Sequence, residues 1–318
     1  MLPHHLRPRR LALLATLAAA LSCGPTSPSP SPLTPFTFRS DGLALAAWVT
    51  PGPDAAPLLI VVHGGPGVSH EYTRPLARLA TLGLRVAFWD QRGVGASTRV
   101  APGAQTLAGQ VRDLDALRRS LGADTVVLAG QSWGGLVALR YALDHPARVR
   151  ALLLLDAVPA SSDELQEAFA RFHARRRAYV ARGLVPAVLP PPRGDDCGPA
   201  QLALAPLYYH DPSHPLARSL GGSSCREGVL DATWRNIGEF DLRPALASLA
   251  PPALVLSGAS DPFGPEMARD LAAALPATRR TVRELPRCGH NGFNECPEPY
   301  FDAITRFLSE HASPPVTR

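Results

Sequence analysis

The segment Gly130-Gln131-Ser132-Trp133-Gly134-Gly135 constrains this chain more than any other. Thr125-Val126-Val127-Leu128-Ala129 before it is β-branched and apolar, and Leu136-Val137-Ala138-Leu139-Arg140-Tyr141-Ala142 after it reads as a helix. That is strand, sharp turn, helix. Glycines on both sides of Ser132 permit a turn that other residues resist, and a serine at its apex is pushed out at the carboxyl edge of a sheet, where a nucleophile would stand. A tight turn with a passive serine is the alternative. The spacing alone recurs by chance, so the flanking strand and helix carry the weight.

The rest of the chain repeats the same rhythm. Leu58-Leu59-Ile60-Val61-Val62 is a run of the kind that a strand buried on both faces shows, and Arg85 to Trp89, Val149 to Leu155 and Ala253 to Gly258 are further strands. Between them, Tyr72 to Leu82 reads as a helix ended by Gly83. Thr106 to Leu121 reads as an amphipathic helix with Leu107, Val111, Leu114, Leu117 and Leu121 on one face. Phe36 to Arg39 and Leu43 to Thr50 flank Asp41-Gly42, a hairpin signal. Such alternation specifies an α/β chain with a mostly parallel sheet and helices on both faces. From 161 to 241 the alternation stops. A helix opens near Ser162-Asp163-Glu164, a proline run follows at Leu189 to Arg193, and aromatics are scattered at Tyr208, Tyr209, Trp234 and Phe240. This stretch is expected to be an inserted, mainly helical cap over the carboxyl edge of the sheet, with 36–160 and 242–310 forming the core. Helices over Pro265 to Leu275 and Pro297 to Glu310 and a strand over Thr281 to Leu285 complete it.

With 318 residues, 46% of them hydrophobic, the chain can bury a large core. The net charge of +5 is dispersed, and Arg175-Arg176-Arg177 reads as a solvated helix face rather than a nucleic-acid site, since no aromatic residues interleave it. Arg7, Arg9 and Arg10 precede the apolar run Leu11 to Leu21, so 1–22 reads as a secretory signal, too short to span a bilayer. Ala20-Leu21-Ser22-Cys23 resembles the lipobox of bacterial lipoproteins, which implies acylation of Cys23. The Ser/Pro-rich stretch 23–35 then serves as a spacer, and plain secretion is the alternative. The chain is thus expected to be exported and to meet a membrane only through that anchor. Four cysteines remain, allowing three connectivities, of which the local pairing Cys197–Cys225 and Cys288–Cys296 is the simplest. Metal binding is expected less than disulfide pairing for these cysteines, and no cofactor is implied.

The loops after the strands carry the chemistry. A serine hydroxyl needs a base within hydrogen-bond reach, itself oriented by a third group. Ser132, Asp261 and His290 each follow a strand, in the order expected of an α/β-hydrolase, with Asp156 the main rival for the acid. The motifs His63-Gly64-Gly65-Pro66-Gly67, Asp90-Gln91-Arg92-Gly93-x-Gly95-x-Ser97, Gly130 to Gly135, Gly258-x-x-Asp261 and Gly289-His290 together resemble the proline iminopeptidase family of α/β-hydrolases, including its secreted prolyl and tripeptidyl aminopeptidase relatives. The resemblance implies an α/β-hydrolase fold. It implies acyl transfer from short peptides with a free amino terminus, with Ser132 as nucleophile, His290 as base and Asp261 as its partner. Gly65 and Trp133 would supply the backbone N–H groups for the oxyanion. Asp90 and Arg92 read as an internally paired loop. Acids that read the substrate ammonium are sought at Glu227, Glu239 and Glu295, with Asp196 a further candidate. A carboxylic-ester or lactone hydrolase on the same machinery is the second reading, and a non-catalytic binding protein the third.

Overall fold

The computed structural model describes residues 33–219 and 221–311. The signal segment, Cys23 and most of the spacer lie outside the described residues. Eight strands form one sheet: β1 (Thr34–Ser40), β2 (Leu43–Val49), β3 (Leu58–Val62), β4 (Arg85–Trp89), β5 (Val126–Gln131), β6 (Val149–Leu155), β7 (Ala253–Gly258) and β8 (Arg280–Leu285), in the spatial order β1-β2-β4-β3-β5-β6-β7-β8. β1 and β2 form an antiparallel hairpin turned by Asp41 (φ 49°) and Gly42 (φ 79°), and β2 pairs antiparallel with β4. From β4 to β8 every pairing is parallel. β1 begins at Thr34, earlier than the sequence suggested, and takes Pro35 because an edge strand leaves one row of N–H positions unpaired.

Every residue of β3, β4, β5 and β7 is buried, because helices cover both faces. Alternate residues divide between two cores. Leu58, Ile60 and Val62 face α1 (Leu107–Ser120), α2 (Trp133–Asp144) and α7 (Glu266–Ala274), whereas Leu59 and Val61 face the segment His70–Leu82 and the terminal helix α9 (Pro297–His311). The segment His70–Leu82 is a 3-10 helix rather than an α-helix; it contains Pro75, which lacks a donor for the α-helical ladder, and Gly83 ends it at φ 77°. Thr106 caps α1 by accepting from the Gly109 N–H.

Between β6 and β7 lie α3 (Ser162–Ala181), α4 (Gly198–Leu204), α5 (Glu227–Ile237) and α6 (Arg243–Leu246) with short 3-10 turns between them. A bridge pairs Ser161 with Asp241, so the two ends of this excursion meet. Disulfides join Cys197 to Cys225 within it and Cys288 to Cys296 around a short helix, α8 (Gly292–Glu295). The arginine run on α3 is not the solvated face expected of it. Arg175 turns inward, donating to the Ser260 carbonyl at 2.6 Å and the Tyr209 carbonyl at 2.8 Å, and so ties α3 to the loop after β7. No helix of the described residues is long and apolar enough to cross a membrane.

Candidate active site

β5 ends at Gln131 and α2 starts at Trp133, leaving Ser132 alone at the turn with φ 53° and ψ −122°. A residue with a side chain rarely adopts that backbone, and the glycines around it show what forces the geometry. A Cβ on Gly134 would stand 2.0 Å from the Val62 carbonyl oxygen, and one on Gly130 2.5 Å from the Gly134 carbonyl oxygen. The turn is pressed against β3 and against the first turn of its own helix, with no room for a methyl group. Ser132 is 8% exposed, and among the described residues its hydroxyl makes no hydrogen bond.

The loops after β7 and β8 bring an acid and an imidazole together. His290 Nδ1 lies 2.6 Å from Asp261 Oδ2, and the Phe263 N–H donates to Asp261 Oδ1 at 2.8 Å. With Nδ1–H directed at the carboxylate, the imidazole keeps Nε2 free to accept a proton. Glycines let the loops close in: a Cβ on Gly258 would meet the Cys288 and Gly289 carbonyl oxygens at 2.3 Å, and one on Gly289 the Tyr208 carbonyl oxygen at 2.3 Å. The His290 N–H donates to that same Tyr208 carbonyl at 2.8 Å. Ring centroids of Tyr208 and Phe263 stand 5.6 and 5.3 Å from the imidazole, and burial raises the Tyr208 hydroxyl above its usual range. Ser132 and His290 line one cavity of about 610 Å³, whose walls include Phe169, Phe172 and Trp234 from the excursion between β6 and β7.

Gly65 lines the same cavity at φ 117°. Trp133 is fully buried and does not line it; its indole N–H donates to Gln91 Oε1 at 3.0 Å, and its backbone N–H opens α2, where no carbonyl four residues back is available within the helix. Sequence reasoning missed Tyr72. Its hydroxyl accepts from the Gly64 N–H at 2.6 Å and donates to Gln131 Oε1 at 2.7 Å, while Gln131 Nε2 donates to the His290 carbonyl at 3.3 Å. One phenol thus ties the glycine loop to the serine turn and, through Gln131, to the histidine loop. Burial pushes that hydroxyl above its ordinary range, so it stays a donor. His63 is held neutral: Nδ1–H faces the Gly64 carbonyl at 2.9 Å, Nε2 accepts from the Gln91 N–H at 3.2 Å, and burial lowers its pKa to about 4. Asp90 bonds His70 at 2.8 Å and the Ala96 N–H at 2.8 Å; Arg92 forks onto Asp113 with both contacts at 2.7 Å. Both are absorbed within the framework beside the site.

The acids expected to read an ammonium group do not line the cavity. Glu295 is spent on three backbone N–H groups, of His210, Asp211 and Gly289, at 2.7 to 3.0 Å. Glu239 is exposed, Glu227 sits half-buried in the first turn of α5, and Asp196 accepts from the Gly198 N–H. Among the described residues, Glu71 is the carboxylate that lines the cavity, its side chain bonded to the Ser69 hydroxyl. A segment holding Tyr72 and Glu71 carries no motif, which is why the sequence did not reveal either. Asp156, the rival acid, is fully buried at the end of β6. Two groups place three possible ligand atoms within 4.8 Å of one another, His70–Glu71–Asp90 and Asp156–Asp261–His290. In each, imidazole Nδ1 already faces a carboxylate, so hydrogen bonding accounts for the clustering.

Comparison with known proteins agrees with this geometry. Residues 57–192 match the family described as alpha/beta hydrolase fold. A proline iminopeptidase of Lactobacillus delbrueckii subsp. lactis is 31% identical over 275 residues, covering 80% of this chain and 90% of the relative. The crystal structure of a Mycobacterium smegmatis proline iminopeptidase superposes with a TM-score of 0.68 at 22% identity, covering 87% of this chain and 98% of that one. A proline iminopeptidase-related protein of Thermus thermophilus gives 0.67 at 25% identity, with 87% and 98% covered.

Proposed function

Since this chain belongs to the proline iminopeptidase family of α/β-hydrolases, we propose that it is a serine aminopeptidase cleaving the amino-terminal bond of short peptides through an acyl-enzyme. The Ser132 hydroxyl turns to His290 Nε2, gives up its proton and attacks the carbonyl carbon. The imidazolium, steadied by the Asp261 carboxylate, passes that proton to the leaving amine, and water repeats the sequence on the acyl-enzyme. The backbone N–H groups of Gly65 and Trp133 receive the oxyanion, each such donor supplying about 2.7–4 kcal/mol of barrier lowering. Glu71 takes the substrate ammonium, and the aromatic wall takes the first side chain. The observation that carries the reading is the 2.6 Å contact from His290 Nδ1 to Asp261 Oδ2, which leaves Nε2 as the base in a histidine that shares its cavity with Ser132.

A fluorophosphonate is expected to label the wild type and not Ser132→Ala, and the substitution is expected to lower kcat on the order of 10⁴-fold or more. Labelling of Ser132→Ala at the wild-type rate overturns the assignment. The predominantly apolar wall favours carboxylic-ester hydrolysis as the second reading. Aminoacyl-arylamides are compared with their N-acetylated forms and with p-nitrophenyl esters. Preference for the free amines supports the aminopeptidase; equal turnover of blocked amides or simple esters supports the esterase. Glu71→Gln is expected to raise KM for free-amine substrates by about tenfold or more, the worth of a hydrogen bond to a charged group, and to spare simple esters.

A further inference from the structure

Asp156 closes β6 in a left-handed conformation, φ 45°, and takes no part in the steps above. Its N–H donates to the Leu256 carbonyl at 2.8 Å, and its Oδ1 accepts from the Gly258 N–H at 2.9 Å. Its Oδ2 is buried and makes no hydrogen bond of ordinary geometry, and the Tyr300 hydroxyl of α9, also buried and without a partner of ordinary geometry, faces the same carboxyl. One oxygen of this carboxyl, one of Asp261 and a ring nitrogen of His290 lie within 4.8 Å of one another. Two carboxylates that close, away from water, do not both ionise, and one proton between them removes the conflict. The surroundings decide where the charge stays. Asp261 receives the Phe263 N–H on one oxygen and His290 Nδ1 on the other, whereas Asp156 receives a single backbone N–H. A proton on Asp156 Oδ2 also explains why that oxygen receives no hydrogen bond of ordinary geometry: it is itself a donor. Burial, with the Asp261 charge beside it, pushes the Asp156 carboxyl well above the carboxylate range. The Tyr300 hydroxyl from α9, itself raised by burial and with Tyr72 beyond, is the other titratable group facing it; as a donor it favours the ionised carboxyl, a smaller effect than burial and the Asp261 charge.

We infer that Asp156 is a positioning residue: in its acid form it donates O–H to the Asp261 carboxylate and fixes the rotamer that receives His290 Nδ1–H. The kinetic consequence rests on the hydrolase reading; the shared proton does not.

The infrared difference between wild type and Asp156→Asn at neutral pH tests the proton directly. The carbonyl band of a protonated carboxyl group is expected in the wild type and absent from the variant, and its absence from the wild type overturns the inference. The same band is expected in Ser132→Ala, so its loss or survival is read independently of any hydrolase activity. In kinetics, Asp156→Ala removes the donor and is expected to lower kcat about tenfold or more, with KM changed little. Asp156→Asn supplies an N–H in place of the O–H and is expected to recover most of that loss. Its kcat/KM profile is expected to keep the wild-type acid limb. Had Asp156 been ionised, removing that charge would move the limb about one pH unit or more toward acid, and such a shift overturns the inference. Wild-type kcat in Asp156→Ala does the same. If Asp156→Ala does not fold, the band and the acid limb of Asp156→Asn decide.

Discussion

His63, set between the Gly64 carbonyl and the Gln91 N–H, couples the first glycine loop to pH. Its pKa is lowered from 6.5 to about 4 in the folded chain by burial, so between those values the unfolded chain binds the additional proton and stability falls as pH falls. About 3 kcal/mol is lost across that window, at 1.36 kcal/mol per unit of difference. Denaturant titrations at pH 7 and pH 4.5 are expected to show the fall, and in His63→Gln the two titrations converge in this respect. Tyr72→Phe leaves the Gly64 N–H buried without its acceptor, at about 1–3 kcal/mol of stability. Turnover is expected to fall as the glycine loop loosens, measured as kcat at unchanged arylamide concentration range. The placement of Ser132, Asp261 and His290 in loops after strands was legible because the pattern of each strand gives its end. That of Tyr72 and Glu71 was not, because what brings them to the cavity is the 3-10 path of a segment whose periodicity says only that it is helical.

The strands could be read because five consecutive apolar residues leave a sheet covered on both faces as the main option, and the paired faces of β3 in two separate cores bear that out. The excursion between β6 and β7 resisted the same treatment. α5 buries only a few residues, and its position depends on distant partners, such as the Arg226 N–H donating to the Gly67 carbonyl at 2.8 Å. Arg175 shows the same lesson, since three adjacent arginines look equally solvated until tertiary contacts single one out. Arg175→Lys keeps the charge and loses the fork, and is expected to destabilise the chain by about 1.5–3 kcal/mol and raise KM, read by thermal melts and arylamide kinetics. The Cys288–Cys296 bond spans a separation of 8 residues and encloses His290, so replacing both cysteines by serine is expected to lower kcat more than it changes KM. A stability loss of about 2 kcal/mol is expected with it.

At the scale of the molecule, the sheet and the rim are held by different means. The sheet rests on buried apolar layers, one of which takes in Cys288 with Cys296 packed against it, whereas the Cys197–Cys225 bond lies at the rim: Cys225 lines the cavity, and Val68 of the glycine loop pairs with it. Breaking the bonds therefore removes constraint at the cavity wall and around His290 and leaves the bulk of the secondary structure alone. A preparation made where thiols stay reduced would look native by far-UV dichroism and by solubility, yet turn over poorly. On the proposed reaction, quality control on this chain has to count reactive Ser132, by titration with a fluorophosphonate, because spectra and yield do not report on the rim.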